Sequence, residues 1–184
     1  FCVAILLLLA PLSYTVKPVQ LSLPSTLTIG IPSFFLALEP NKNRVRGKFL
    51  RNILSRGLPA GLTYFTLLAG VMLFAYAFPD LPEAQASAVA TLLLCLVGFL
   101  MLYTVARPLN LWRGLLLSLL LAAFFVLVLF FPSVFLLEPL TLAGWLMLVL
   151  FALLSVPLLM LYTYLQKKIG AFFARLGERL PRRR

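Results

Sequence analysis

The chain has 184 residues, of which 62% are hydrophobic and only 11% charged, with a mean hydropathy of +1.06. So little polar surface cannot clothe a soluble domain of this length, and the composition specifies a polytopic membrane protein. The net charge of +11 does not mark a nucleic-acid partner, because the basic residues follow a pattern set by membrane orientation, and the absence of histidine removes the commonest general base and transition-metal ligand.

The first apolar run, residues 1–12 (FCVAILLLLAPL), follows no basic segment and is shorter than the roughly 20 residues that cross a bilayer as a helix. It is expected to be the second half of a span, and the chain to be a C-terminal piece of a longer protein. Five longer apolar stretches follow at about 19–38, 58–78, 84–106, 111–131 and 140–165, each bounded by proline, glycine or charge. All exceed the length of a barrel strand and none alternates with period two. The expected fold is therefore an all-α polytopic membrane helical bundle, with one partial and five complete transmembrane helices. Residues 1–166 then make up the transmembrane region and 167–184 a basic tail. Cys2 and Cys95 each lie inside an apolar run and read as small buried hydrophobes rather than as a disulfide or metal pair.

The charges orient these spans. Basic residues crowd the connection from Lys42 to Arg56, flank the next connection of the same parity at Arg107 and Arg113, and fill the tail from Lys167 to Arg184. Among the lysines and arginines, Lys17 alone falls on the opposite side, together with Asp80, Glu83 and Glu138. Positive residues stay inside, so the 42–56 connection and the C-terminus are expected in the cytoplasm, at a bacterial plasma membrane. Val45, Phe49, Ile53 and Leu54 share one helical face, as do Ile169, Phe172, Phe173, Leu176 and Leu180. Both segments read as helices lying on the anionic inner surface, and equally as ordinary stop-transfer sequence.

The stretch LTIGIPSFFLALEPN, residues 27–41, has a flaw inside an otherwise apolar span. Pro32 has no N–H to offer the carbonyl of Thr28, Pro24 likewise frees that of Gln20, and Gly30 between them makes local unwinding easier. In lipid an unpaired carbonyl costs several kcal/mol, so such backbone persists only where protein, water or an ion satisfies it. Ser22, Ser25, Thr26, Thr28 and Ser33 surround the break, and hydroxyl and carbonyl oxygens are hard ligands suited to calcium, magnesium or alkali cations. Two readings remain open: an ion site on Ser25, Thr28, Gly30 and Pro32, or a packing kink whose hydroxyls bond their own backbone. Pro157 in the last span frees the carbonyl of Leu153, but only Ser155 is polar nearby, so there the kink is preferred.

The run PVQLSLPSTLTIGIPSFFLALEPN, residues 18–41, resembles the sixth transmembrane span of P-type cation-transporting ATPases. Calcium-type pumps show PVQL, then Thr-Asp-Gly-x-Pro, then Ala-Leu and an acidic or polar residue before proline. Here these stand as Pro18-Val19-Gln20-Leu21, Thr28-Ile29-Gly30-Ile31-Pro32, Ala37-Leu38 and Glu39-Pro40. Ile29 replaces the aspartate and Ser25 aligns with an asparagine, while the threonine is kept as Thr28. No carboxylate lies well inside a complete span.

The resemblance implies the distal half of a ten-span pump, from mid-fifth span onward. Thr28 and Ser25 would then contribute to the site of a transported cation, calcium first. Charge and further ligands would come from spans four and five. ATP and Mg²⁺ would bind the intact protein through cytoplasmic domains preceding this chain, which has no phosphorylation motif or phosphate loop and no catalytic residue or cofactor of its own. Tyr64, Thr66, Thr91, Ser118 and Thr141 read as packing residues. A small membrane scaffold without an ion site is the alternative.

Overall fold

The computed structural model describes residues 16–38, 49–78, 82–107 and 110–179, with the side chains of 49–56 and 169–179 excepted. The partial span expected at residues 1–12 lies outside the described residues, as do Glu39, Asp80 and Leu180. Five helices carry the fold, and each has an apolar window long enough to cross a membrane. We label them α1 (Pro18–Ala37), α2 (Phe49–Ala77), α3 (Glu83–Ala106), α4 (Leu111–Phe130) and α5 (Leu142–Arg179). A single 3₁₀ turn, Pro132–Phe135, precedes α5, and there is no strand among the described residues. The all-α bundle expected from apolar run lengths is what the chain forms.

Two readings of the basic segments are open from sequence alone, helices lying on the inner surface or ordinary juxtamembrane sequence. In the described residues α2 runs unbroken from Phe49 and α5 unbroken to Arg179, so there both segments continue a span; residues 42–48 and Leu180 lie outside the described residues. Neither boundary carries a break strong enough to end the helix: Pro59 sits inside α2 and removes one donor, while residues around Gln166 keep good helix propensity.

The middle helix is α3, whose span is half buried, against 11% for α4. The difference follows from side-chain size. The first half of α3 carries Ala84, Ala86, Ser87, Ala88 and Ala90, which let neighbouring backbones approach. Between Leu115 and Phe130 the chain of α4 is nearly all Leu, Val and Phe and turns them outward. Leu68, Val71 and Met72 of α2 meet Val89 and Leu93 of α3 and Met147 of α5 in one cluster. Leu23 and Leu27 of α1, Cys95 and Phe99 of α3 and Leu116 and Leu120 of α4 form the other.

In lipid these apolar contacts drive association weakly, because acyl chains offer a leucine much the same surroundings. Close packing and polar ties therefore decide how the helices sit. A methyl group placed on Gly98 would stand 2.8 Å from the Thr28 side chain, and one on Gly70 would stand 2.6 Å from the Phe151 ring. Thr66 Oγ1 lies 2.7 Å from the Tyr162 hydroxyl, joining α2 to α5. The Thr141 hydroxyl donates to Gln85 Oε1 at 2.7 Å, joining the start of α3 to the approach of α5.

Candidate functional site

The candidate site is the middle of α1. Two prolines eight residues apart bracket it, and neither supplies an N–H. The sequence reading expected the helix to unwind here. It does not: from Ser25 to Gly30 the chain is a π-helix, flanked by α-helical Pro18–Pro24 and Ile31–Ala37. The Ile31 N–H reaches back five residues to the Thr26 carbonyl instead of four. A wider turn lets the chain pass a missing donor at Pro32 while staying helical, and such π-turns concentrate at functional positions. The unwound span of the sequence reading is thus corrected to a widened one.

The hydroxyls of this segment close onto their own helix. Ser22 donates to the Val19 carbonyl, Ser25 to Leu21 and Thr28 to Pro24, each at 2.6 Å, and Ser33 donates to Gly30 at 2.9 Å. Their hydrogens are thereby committed, and each oxygen keeps lone pairs with which to accept a donor or a cation. Ser22, Ser25, Thr26, Gly30 and Ser33 are all exposed, whereas Leu23, Leu27 and Pro32 on the opposite side are buried. The bare side of α1 thus carries these hydroxyls interspersed with the exposed Val19, Ile29, Phe34 and Leu38, while the packed side holds Leu23, Leu27 and Pro32 together with Gln20.

The four candidate residues divide between two surfaces. Ser25, Thr28 and Pro32 line a groove of about 420 Å³ between α1, α2 and α3, walled opposite by Ala60, Gly61 and Gly98. Ser25 and Gly30 line an open depression of about 430 Å³ with Thr26, Phe34 and Phe35. Ser25 belongs to both. Thr28 is half-buried because it presses on Gly98, and Ile29, where calcium-type pumps carry aspartate, is 67% exposed. Among the described residues no three of His, Cys, Asp and Glu come together as a metal cluster.

Sequence reasoning passed over the residue that holds this helix in place. Gln20 is fully buried. Its Oε1 accepts the Ser87 hydroxyl and the Lys17 amide at 3.0 Å, and its Nε2 donates to the Leu136 carbonyl at 3.1 Å; Thr91 Oγ1, which donates to the Ser87 carbonyl at 2.9 Å, lies 3.4 Å from the same Oε1. Leu136 is the residue with left-handed backbone, φ 51°, closing the turn after Pro132–Phe135. The available signal was a carboxamide inside an apolar span, which lipid tolerates only where it finds partners. Of the five residues assigned to packing, Thr66, Thr91 and Thr141 do bridge segments, while Ser118 is exposed and donates to Leu115 of its own helix.

Comparison with curated proteins follows the same line. The calcium-transporting ATPase CtpE of Mycolicibacterium smegmatis is 34% identical over 111 residues, which are 59% of this chain and 14% of that protein. CtpE of Mycobacterium tuberculosis is 32% identical over 108 residues, 56% of this chain and 13% of its own length. The probable cation-transporting ATPase exp7 of Streptococcus pneumoniae is 32% identical over 99 residues, 54% of this chain and 13% of its own. Over more than half its length the chain is homologous to P-type cation-transporting ATPases. The matched residues make up only about one-seventh of the length of these relatives. No family model and no solved structure matches the chain.

Proposed function

We propose that this chain is the membrane-embedded part of an ATP-driven cation pump, and that α1 lends its hydroxyl-bearing side to the path of the cation. The observation that carries this is the cluster of exposed hydroxyls at the π-turn of α1: Ser22, Ser25, Thr26 and Ser33 are bare while Leu23, Leu27 and Pro32 are packed. A hydroxyl stripe is poorly placed against acyl chains and well placed against water, an ion or further spans of the same protein. Thr28 and Ser25 are the proposed ligands, with Gly30 and Pro32 setting the backbone around them.

Calcium is the first cation to test, since two of the relatives are named calcium-transporting. With Ile29 in the place of an aspartate, the negative charge that a divalent ion needs would come from spans outside this chain. ATP and Mg²⁺ are assigned to cytoplasmic domains of the intact protein, and no residue described here is proposed to hold either. Phosphorylation there would shift α1 and change which membrane face its hydroxyls meet. By the distribution of its basic residues the C-terminus is placed in the cytoplasm of a bacterial cell.

A second reading has one observation in its favour: four α1 hydroxyls bond their own helix, as in a plain packing kink of a scaffold protein. Thr28→Val combined with Ser25→Ala in the intact ATPase separates the two. Loss of two oxygen ligands is expected to raise the half-activating Ca²⁺ concentration by about tenfold or more, from roughly 1.4 kcal/mol or more of lost binding. An unchanged value defeats the assignment of these residues.

A further inference from the structure

We propose that Gln20 is a positioning residue for the cation path: its carboxamide fixes the rotation of α1 about its own axis, and so decides which side chains face that path. The second half of this statement rests on the pump reading; the first does not.

A soluble bundle would set the rotation of α1 by burying Leu23 and Leu27. In a bilayer that preference is faint, because a rotated α1 would hand the same leucines to lipid. What cannot be handed to lipid is a carboxamide. Gln20 and the hydroxyls of Ser22 and Ser25 lie on different sides of α1, with Gln20 at 0% exposure and both serines exposed. A rotation of about 100°, one residue's worth, would carry Gln20 out of its contacts. It would leave the Ser87 hydroxyl without its acceptor and the Leu136 carbonyl, held in a left-handed turn, without the Nε2 it receives, while Thr91 keeps its bond to the Ser87 carbonyl at 2.9 Å. Gln20 and Ser87 are both buried, so leaving either without its partner is costly, and the observed setting of α1 is the one that pairs them.

The network also reaches three separate places in the chain. Ser87 and Thr91 are one helical turn apart on α3, Leu136 closes the turn before α5, and the Lys17 amide opens α1 itself. It lies at the start of α1, before the π-turn, so the outer half of the helix is fastened while the half from Ile31 onward has no such tie. Thr28, the next contact along, presses on Gly98 of α3 but donates its hydroxyl within α1. Steric contact at Thr28 limits how near α1 comes; the carboxamide sets how it is turned.

Rotation is read directly by a cross-link. In the intact protein with its native cysteines replaced by alanine, Thr28→Cys and Gly98→Cys are introduced together: the Thr28 Cβ lies 2.9 Å from where a Gly98 Cβ would stand, so the helices must part by about 1 Å to reach the roughly 3.5–4.5 Å that a disulfide spans. Mild oxidation is expected to join them nearly completely when Gln20 is present. Gln20→Met should lower the rate of joining several-fold. Ser87→Ala with Thr91→Val, which keeps Gln20 and removes the hydroxyl that donates to it together with the one beside it, should lower it less, and serves if the methionine variant does not accumulate. Gln85→Met, a loss of comparable polarity that does not touch α1, should leave it unchanged. Joining at the native rate in the Gln20 and Ser87/Thr91 variants overturns the proposal, as does an equal fall in the Gln85 variant.

The same variants, without the cysteines, are then assayed for Ca²⁺-stimulated hydrolysis. The half-activating concentration is expected to rise about fivefold in Gln20→Met, with the maximal rate changed less than about twofold. A fall in maximal rate alone, at unchanged half-activation, overturns the positioning role. Because the cross-link needs no transport, a protein that joins as described but hydrolyses ATP without responding to any cation defeats the pump reading and upholds the rotational assignment.

Discussion

α1 and α5 both carry proline in mid-span, and the chain treats the two differently. At Pro157 the helix stays α-helical throughout, and the nearby Ser155 is buried and donates to Ala152 of its own helix at 2.6 Å. Between Pro24 and Pro32 the helix widens into a π-turn, with its hydroxyls on the bare side. One proline removes one donor, which a gentle bend absorbs. Two prolines with a glycine between them concentrate the loss, and an inserted residue restores bonding at a wider pitch. A proline by itself therefore predicts a bend; the proposed cation path rests on the doubled lesion and on the hydroxyls exposed beside it.

The largest effect that tests this comparison is Pro32→Ala against Pro157→Ala. Restoring an N–H at position 32 gives the Thr28 carbonyl its usual donor and lets the π-turn relax to α. Removing the extra residue from the turn rotates Ser25 relative to Ser33 by about 100°. In the intact ATPase we expect Pro32→Ala to raise the half-activating Ca²⁺ concentration by about tenfold or more, and Pro157→Ala to change it by less than about twofold. Equal responses in the two variants would show that the π-turn has no part in transport.

Next comes packing. Gly98→Ala would set a methyl 2.8 Å from Thr28, which is wedged between helices, and is expected to cost about 2 kcal/mol. Gly61→Ala, on the other side of the same groove, meets nothing within 4 Å and should cost nothing. Gly70→Ala falls between: its methyl would stand 2.6 Å from the Phe151 ring, whose outer edge can swing away, for about 1 kcal/mol. Thermal unfolding of the purified protein in one detergent ranks the three. A Gly61 variant as unstable as the Gly98 variant would mean that α1 and α2 close on each other across the groove.

Much of this was legible in the sequence, for a physical reason. A bilayer imposes length, so apolar runs ending at Leu38, Phe78, Ala106 and Phe131 announce helices that end at or beside those residues. Helix continuation past the bilayer was not legible, because Arg51 and Lys168 signal the interface without ending a helix. The flaw at Gly30 and Pro32 was legible as a flaw, but whether backbone unwinds or widens depends on which carbonyls find donors. Least legible was Gln20. Its side-chain partners lie 67, 71 and 116 residues along the chain, and nothing local distinguishes a tethered carboxamide from a stray one.

The smallest predicted effect bears on why hydroxyls in α1 and α2 differ in function. Thr66 Oγ1 lies 2.9 Å from the Leu62 carbonyl and 2.7 Å from the Tyr162 hydroxyl. A threonine has one hydrogen to give. A carbonyl can only accept, so Thr66 donates to Leu62 and Tyr162 must donate to Thr66. The direction fixes an asymmetry. Tyr162→Phe removes a donor and leaves Thr66 satisfied, at about 0.5 kcal/mol. Thr66→Val leaves the tyrosine hydroxyl without its acceptor, at about 1 kcal/mol or more. Equal losses in thermal unfolding, or a larger one for Tyr162→Phe, would reverse the assigned direction. The same reasoning separates this site from α1. In α2 the threonine oxygen, its hydrogen already spent within the helix, accepts from a second helix. Ser25 spends its hydrogen on the Leu21 carbonyl in the same way, and at an exposed residue its oxygen keeps lone pairs for a further donor or, on the pump reading, for a cation.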